Sequence, residues 1–215
     1  HKAIEIKDRI AKGLVGRAVV IGGGAIGIEM AEALKDLWGV ETTLIEFKNQ
    51  LLPNLVDWEM AEMLVKHLRD NDIDVFLGEG AEEIVADDEG RACAVKTSQR
   101  TVETDLVIMA AGVRPRSGLA AEAGLHVSAM GAIVVNEHMQ TSDPDIYAAG
   151  DCVEIVNLVS GGKFFAPLGS LANKEGRVAG DNIAGIPSTF KGGVGSFIMK
   201  AFDVSIGSAG LTLAA

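Results

Sequence analysis

The sequence predicts an α/β fold, a parallel sheet carrying an antiparallel insert, and three observations predict it. Short apolar runs such as "RAVVIG" and "LVIMAAG" alternate with stretches whose apolar residues recur at helical spacing. Between residues 81 and 105 the pattern changes to short β runs punctuated by "DDEG" and "SQR". A Gly-rich turn, "IGGGAIG", joins the first apolar run to the first helical one. Buried strands alternating with helices imply parallel pairing, because a parallel pair needs a crossover.

The elements follow in order. Residues 1–12 alternate charge with Ile4, Ile6 and Ile10 and read as a short helix or linker. "RAVVIG" is a buried strand; Ile26, Met30, Ala33, Leu34 and Leu37 then mark a helix. "VETTLIEF" gives a second strand, Val40 to Glu46. "VDWEMAEMLVKHLRDND" is a helix with Asp57 as N-cap and Met60, Leu64 and Leu68 on one face. "IDVFLG" is a third strand, residues 81–105 an antiparallel meander, and "LVIMAAG" the returning parallel strand. Residues 13–112 thus form one nucleotide-binding unit. Beyond it, "GAIVVN" and "IYAAGD" read as strands. "PLGSLANKEGRVAGDNIAG" is a helix opened by Pro167 and closed near Gly185, with Leu168, Leu171, Ala172, Val178, Ala179 and Ile183 on one face. Residues 191–215 read as the first strands of a further unit.

Composition narrows the function classes. The chain of 215 residues carries a net charge of −11, which argues against nucleic acid or an anionic membrane as partner. Two cysteines, Cys93 and Cys152, without CxxC spacing, exclude a disulfide scaffold or a zinc site and fit a reducing, cytoplasmic setting. His1, His67, His126 and His138 show no ligand spacing, so no metal site is expected. His67 reads as an exposed flank residue, Trp38 and Trp58 as packing at helix ends, and "DDEG" as a solvated hairpin tip.

Gly22, Gly24 and Gly27 form GxGxxG between a strand and a helix, with Ala25 and Ile26 completing the turn. The first glycine permits the tight turn, the second lets a pyrophosphate approach the backbone, and the third lets helix and strand pack closely. Backbone N–H groups and the helix dipole then face the anion. Glu46, nineteen residues beyond Gly27, ends the next strand, where it would accept hydrogen bonds from an adenosine ribose. A carboxylate there repels a 2′-phosphate, which favours NAD(H) over NADP(H). The plainer alternative is a turn that merely packs and a solvated strand-end charge. Glu29, on the first helical turn, is favoured by the helix dipole alone.

Four separated segments, "VVIGGGAIGIEMAEAL", "DLVIMAAGVRPRSGL", "TSDPDIYAAGDCVE" and "PLGSLANKEGRVAGDNIAG", resemble the FAD-dependent pyridine nucleotide-disulfide oxidoreductases in content, order and spacing. The branch with NADH oxidases, NADH peroxidases and coenzyme A-disulfide reductases is the most similar. The resemblance implies a Rossmann-like NAD(H) domain over 13–112, the returning half of an FAD-binding domain over 113–190, and the start of an interface domain over 191–215. It implies that Glu29 contacts the nicotinamide carboxamide and that Gly112 lines the nicotinamide channel. It implies that Asp151 holds the FAD ribitol or phosphate region, and that Gly169 and Ser170 present amides to the flavin. One departure is Ala25, where relatives often carry an aromatic residue. The resemblance also implies that the N-terminal FAD half, with the redox cysteine, precedes this chain, so the chain alone is expected to be inactive.

The implied activity is hydride transfer from NADH to FAD and on to a disulfide, peroxide or dioxygen, in an intact homodimer. Two alternatives stay open. One is an isolated, non-catalytic NAD(H)-binding module. The other is a rubredoxin- or ferredoxin-type flavin reductase.

Overall fold

The computed structural model describes residues 2–212. It comprises two compact units: one runs to Gly112 and includes Ile198–Gly207, and the other holds Val113–Phe197 and Ser208–Leu211.

The first unit is built on a four-stranded sheet, β1 (Arg17–Ile21), β2 (Glu41–Glu46), β3 (Ile73–Leu77) and β7 (Leu106–Met109), in the order β3-β2-β1-β7. All neighbours are parallel, with Val20 opposite Leu44 and Ile108. Both faces of such a sheet are covered, so its central strands are buried without alternation: residues 18–21 of β1 and 42–46 of β2, with Thr42, Thr43 and Glu46 among them. Helix α2 (Ala25–Glu32) packs on β1 and β2, and α3 (Trp58–Asp70) packs on β3. The opposite face carries β4 (Ala81–Ala86), β5 (Ala92–Thr97) and β6 (Thr101–Glu103), an antiparallel sheet in the order β4-β5-β6. Val95 of β5 meets Val19, Ile21 and Ile45 there, each at most 9% exposed. Burying one such side chain contributes about 1.5–3 kcal/mol.

A charged cluster holds the insert in place. The Glu79 carboxylate, its side chain 3% exposed, accepts from Thr97 Oγ1 (2.9 Å) and from Arg100 Nε (3.1 Å) and Nη2 (2.8 Å). The Arg100 guanidinium also stacks 4.0 Å over the Phe76 ring. Removing one partner of such a pair strands a buried charge. With Arg100 partly in solvent, Arg100→Ala is expected to cost about 2 kcal/mol, read as a lower urea midpoint. An unchanged midpoint would show the cluster to be neutral.

Helix α1 (Lys2–Ala11) precedes β1. The strands β10 (Phe197–Ala201) and β11 (Val204–Ser208) form a hairpin. In the second unit, α4 (Gly118–Glu122), the short strands β8 (Ile155–Val156) and β9 (Lys163–Phe164), and α5 (Gly169–Ile183) surround a core of Ile133, Val135, Met139, Val153, Ile155, Val178 and Ala179.

Several expectations are corrected. The runs "GAIVVN" and "IYAAGD" form no strands; Ile133 pairs with Val153, and Gln140 with Tyr147, only through single bridges. A strand needs a ladder, and among the described residues neither run has one. The buried face of α2 is Gly27, Ile28 and Ala31, continuing to Leu34 in the π-turn Ala33–Leu37, while Ile26 and Leu37 are 59% and 71% exposed. On α3 the buried face is Ala61, Leu64, Val65 and Leu68, and Met60 lies outside it. On α5, Ile183 is exposed, and Glu175 sits between Leu171 and Val178 on the buried side. Trp38 and Trp58 sit at helix ends but are 41% and 46% exposed. His67 is not free in solvent: its Nε2 lies 3.2 Å from Ala201 O and 3.1 Å from Asp203, and its ring meets Phe202 edge-on. Residues 213–215, at the end of the predicted tail, and His1 lie outside the described residues.

Candidate functional site

The chain runs β1–α2–β2–α3–β3 outward from the sheet centre, then returns through β7 on the other side of β1. The reversal of direction lies between β1 and β7, and open α/β sheets take ligands at the carboxyl ends of the strands at such a point. The Gly-rich turn leaves β1 there, Glu46 ends β2, and Gly112 follows β7.

Each glycine of the turn has a distinct constraint. Gly22 has φ +115°, and a Cβ on it would overlap the Ala110 carbonyl, 2.6 Å from its carbon. A Cβ on Gly27 would overlap the Gly22 carbonyl oxygen and sit 3.0 Å from its carbon, so helix and strand pass at backbone contact. Gly24, the N-cap of α2, has nothing within 4 Å of where its Cβ would be. The crowded glycines serve the fold, and the open one faces space in front of the helix. Ile28 is the first amide of α2 to find an acceptor, Gly24 O at 3.1 Å, so the amides before it have no helical partner. Those amides and the dipole together favour negative charge in front of the helix.

Glu46 is 9% exposed. One carboxylate oxygen accepts from Gly23 N–H (2.6 Å) and the other from Lys48 N–H (2.7 Å). The acid thus ties the end of β2 to the Gly-rich turn, and about two of its four acceptor positions remain for other donors. Sequence reasoning placed Glu46 at the strand end but missed this tie. It also missed the segment that covers the turn. Leu51 and Leu52 are fully buried, Leu52 N–H donates to Gly23 O (2.9 Å), and Leu52 adopts φ +49°. The signal was the apolar pair in "QLLPN" between a strand and a helix.

The remaining predicted residues of this unit are accessible. Glu29 and Ile26 are exposed on α2, Ala25 is half-buried at its start, and Gly112 is exposed with φ +102°. If the space before Gly24 receives a nucleotide phosphate, Gly24→Val leaves the melting temperature within about 2 °C and weakens NADH binding at least tenfold, measured by calorimetry. Unchanged affinity would refute the cradle.

In the second unit, Asp151 is exposed beside Gly150, whose φ is +83°. A Cβ on Gly150 would lie 3.5 Å from that of Ala172, which places the turn against the start of α5. Gly169 and Ser170 are exposed at the α5 N-terminus, behind Leu168 in extended conformation. The first α5 amides to bond back are Leu171 and Ala172, both to Leu168 O at 2.9 Å. Asp151 and these free amides therefore stand on two segments that touch. Cys152 is half-buried, with its Sγ 3.5 Å from Ala149 O; burial pushes its thiol pKa up, so it is no reactive thiolate. Cys93 is half-buried within β5.

Among the described residues, no group of three or more His, Cys, Asp or Glu side chains is arranged to hold a metal. No helix among them is long and apolar enough to cross a membrane. The first unit also has a cleft of about 270 Å³ lined by Arg17, Glu41, Asp74 and Arg100, but Arg17 and Glu41 begin their strands, so it opens away from the Gly-rich turn.

The chain resembles known proteins along most of its length. The NADH oxidase of Methanocaldococcus jannaschii is 42% identical over 91% of this chain and 43% of its own length. The structure of an FAD-dependent pyridine nucleotide-disulphide oxidoreductase from Desulfovibrio vulgaris superposes with a TM-score of 0.90 at 44% identity, covering 96% of this chain and 54% of that one. An NAD-dependent persulfide reductase from A. fulgidus gives a TM-score of 0.92 at 42% identity, covering 97% and 38%. The chain thus spans about half, or less, of the length of these relatives. With residues 1–164 matching that family's description, the chain belongs to the pyridine nucleotide-disulphide oxidoreductases.

Proposed function

We propose that this chain supplies the NADH site and part of the FAD site of a flavoprotein oxidoreductase that delivers electrons to a disulfide, peroxide or dioxygen. The observation that carries the reading is the Gly-rich turn, tied by the buried Glu46 carboxylate, at the carboxyl edge of a parallel sheet where strand order reverses. Relatives named NADH oxidase and persulfide reductase support it.

In this reading the α2 amides receive the pyrophosphate, and the free acceptor positions of Glu46 take the adenosine ribose hydroxyls. The same carboxylate opposes a 2′-phosphate, which makes NADH the preferred donor. Glu29 and Gly112 border the nicotinamide, where Ala25 leaves more room than an aromatic residue would. The residues of the second unit fit an anionic, hydroxyl-bearing cofactor. Asp151 accepts from hydroxyls, and the α5 N-terminus at Gly169 and Ser170 favours negative charge. The chemistry flavin supplies when bound is acceptance of hydride from reduced nicotinamide and its onward delivery as electrons. Cys152, half-buried with its thiol held protonated, serves packing rather than reduction of the acceptor.

Titration of the purified chain tests the donor site. NADH at a hundredfold over its Kd should stabilise the protein by about 2.7 kcal/mol, a rise of several degrees in Tm, and NADPH at the same concentration by less. Equal responses to the two nucleotides would overturn the preference, and no response to either would overturn the site.

A further inference from the structure

The second unit's candidate site is held by a residue that no sequence motif singled out. Glu175 lies on α5, its side chain all but enclosed (the residue is 2% exposed). Its Oε2 accepts a hydrogen bond from Gly150 N–H at 2.7 Å. The bond spans from the helix that begins at Gly169 to the residue immediately before Asp151. Val153 N–H closes the same turn onto Gly150 O at 3.1 Å. The charged and titratable groups facing Glu175 are Asp151 and the Cys152 thiol, both on that turn. Among the described residues no cation pairs with it within 4 Å. Burying a carboxylate without a cation is costly, and among the described residues the hydrogen bond that offsets it is the one from Gly150 N–H.

We propose that Glu175 is a positioning residue of the flavin site. Through the Gly150 amide it holds the Asp151 turn against the start of α5, so that Asp151 and the amides of Gly169 and Ser170 address one ligand. This rests on the FAD reading above. Without the tie, Gly150, already at φ +83°, has no side chain of its own to fix the turn. A glutamine would preserve the acceptor; an alanine would not.

Burial raises the Glu175 pKa above its ordinary value; the Gly150 N–H hydrogen bond opposes this by favouring the ionised form, and the nearby Asp151 charge adds to the rise. The folded protein then holds this proton more tightly than the unfolded chain. The contribution to stability is complete below the unfolded pKa and is lost as pH rises through the folded one. Ionisation of Glu175 therefore costs the fold stability as pH rises, although it strengthens the Gly150 N–H hydrogen bond, and Glu175→Gln should remove that dependence.

Nuclear magnetic resonance of the whole 215-residue chain reads the tie directly. In the wild type, the Gly150 amide should be protected from exchange and its shift should titrate above the ordinary carboxylate range. Glu175→Gln should keep the protection and abolish the titration. Glu175→Ala should lose at least tenfold protection at Gly150, while the amides of Gly23 and Lys48 in the first unit stay unchanged. FAD affinity, measured by flavin fluorescence, should be alike for wild type and Glu175→Gln and at least tenfold weaker for Glu175→Ala. Equal protection and affinity in all three proteins would overturn the proposal. Protection lost with affinity unchanged would overturn the positioning role and leave the FAD site standing. Wild-type protection without any FAD binding would overturn FAD binding by this chain's own part of the site, and with it the positioning role, and would leave only the tie.

Discussion

Gly27→Ala is expected to lose about 3–5 kcal/mol of stability and to abolish NADH binding. The added methyl would overlap the Gly22 carbonyl oxygen, and it lies 3.5 Å from Ala110 Cβ. Backbone cannot rotate away as a side chain would, so α2 must move off β1 or the turn must distort. Overpacking usually costs about 1–3 kcal/mol, and the larger figure follows because the group the methyl strikes, the Gly22 carbonyl, is main chain. Against a total of about 5–15 kcal/mol, the loss is severe. Chemical denaturation measures it, with Gly24→Ala as the control. A Cβ at Gly24 meets nothing within 4 Å, so that variant should unfold near the wild-type midpoint. If the two variants are equally stable, the close approach of helix and strand does not hold the turn.

Glu46→Ala carries the other large effect. It strips the acceptor from two amides, Gly23 and Lys48, in a setting where the acid itself is 9% exposed. The buried Gly23 donor left without a partner costs about 1–3 kcal/mol and the more accessible Lys48 amide less, so a loss of about 2–4 kcal/mol is expected. Glu46→Gln keeps one acceptor and should lose about half as much. Nucleotide preference provides an independent readout. Removing the carboxylate charge should narrow the gap between NADH and NADPH affinity by about tenfold. Glu46→Arg should close it further, yet at the stability cost of the alanine variant. A stable protein with unaltered preference would refute both roles. Lost stability with unaltered preference would show that Glu46 serves the turn alone.

This double duty explains part of what was legible beforehand. The spacing from Gly27 to Glu46 follows from local geometry: a strand, a turn, a helix and a second strand of fixed rise place the acid near the turn. Whether its oxygens face solvent or main chain depends on Lys48 and on the cover of Leu51 and Leu52, which adopts a left-handed residue that no pattern announces. The same limit explains the faces of α2 and α3. Ile26 and Met60 fit the helical period, but the period allows neighbouring stripes, and packing against the sheet chose those centred on Ile28 and Leu64. "GAIVVN" and "IYAAGD" have the composition of strands, but a strand is completed by its neighbours, and here the ladder stops at single bridges.

From sequence alone came what local chemistry dictates. Apolar runs alternating with helical periodicity specified the parallel sheet and its antiparallel insert, and the glycine spacing marked the turn that leaves β1. Only the tertiary structure decided where buried charge would be spent. Glu46 on Gly23, Glu79 on Thr97 and Arg100, and Glu175 on Gly150 each join segments distant in the chain. A carboxylate reads the same in sequence whether solvated or enclosed. Its partner is set by how the chain folds back, because desolvation penalises the acid unless a donor arrives with the fold.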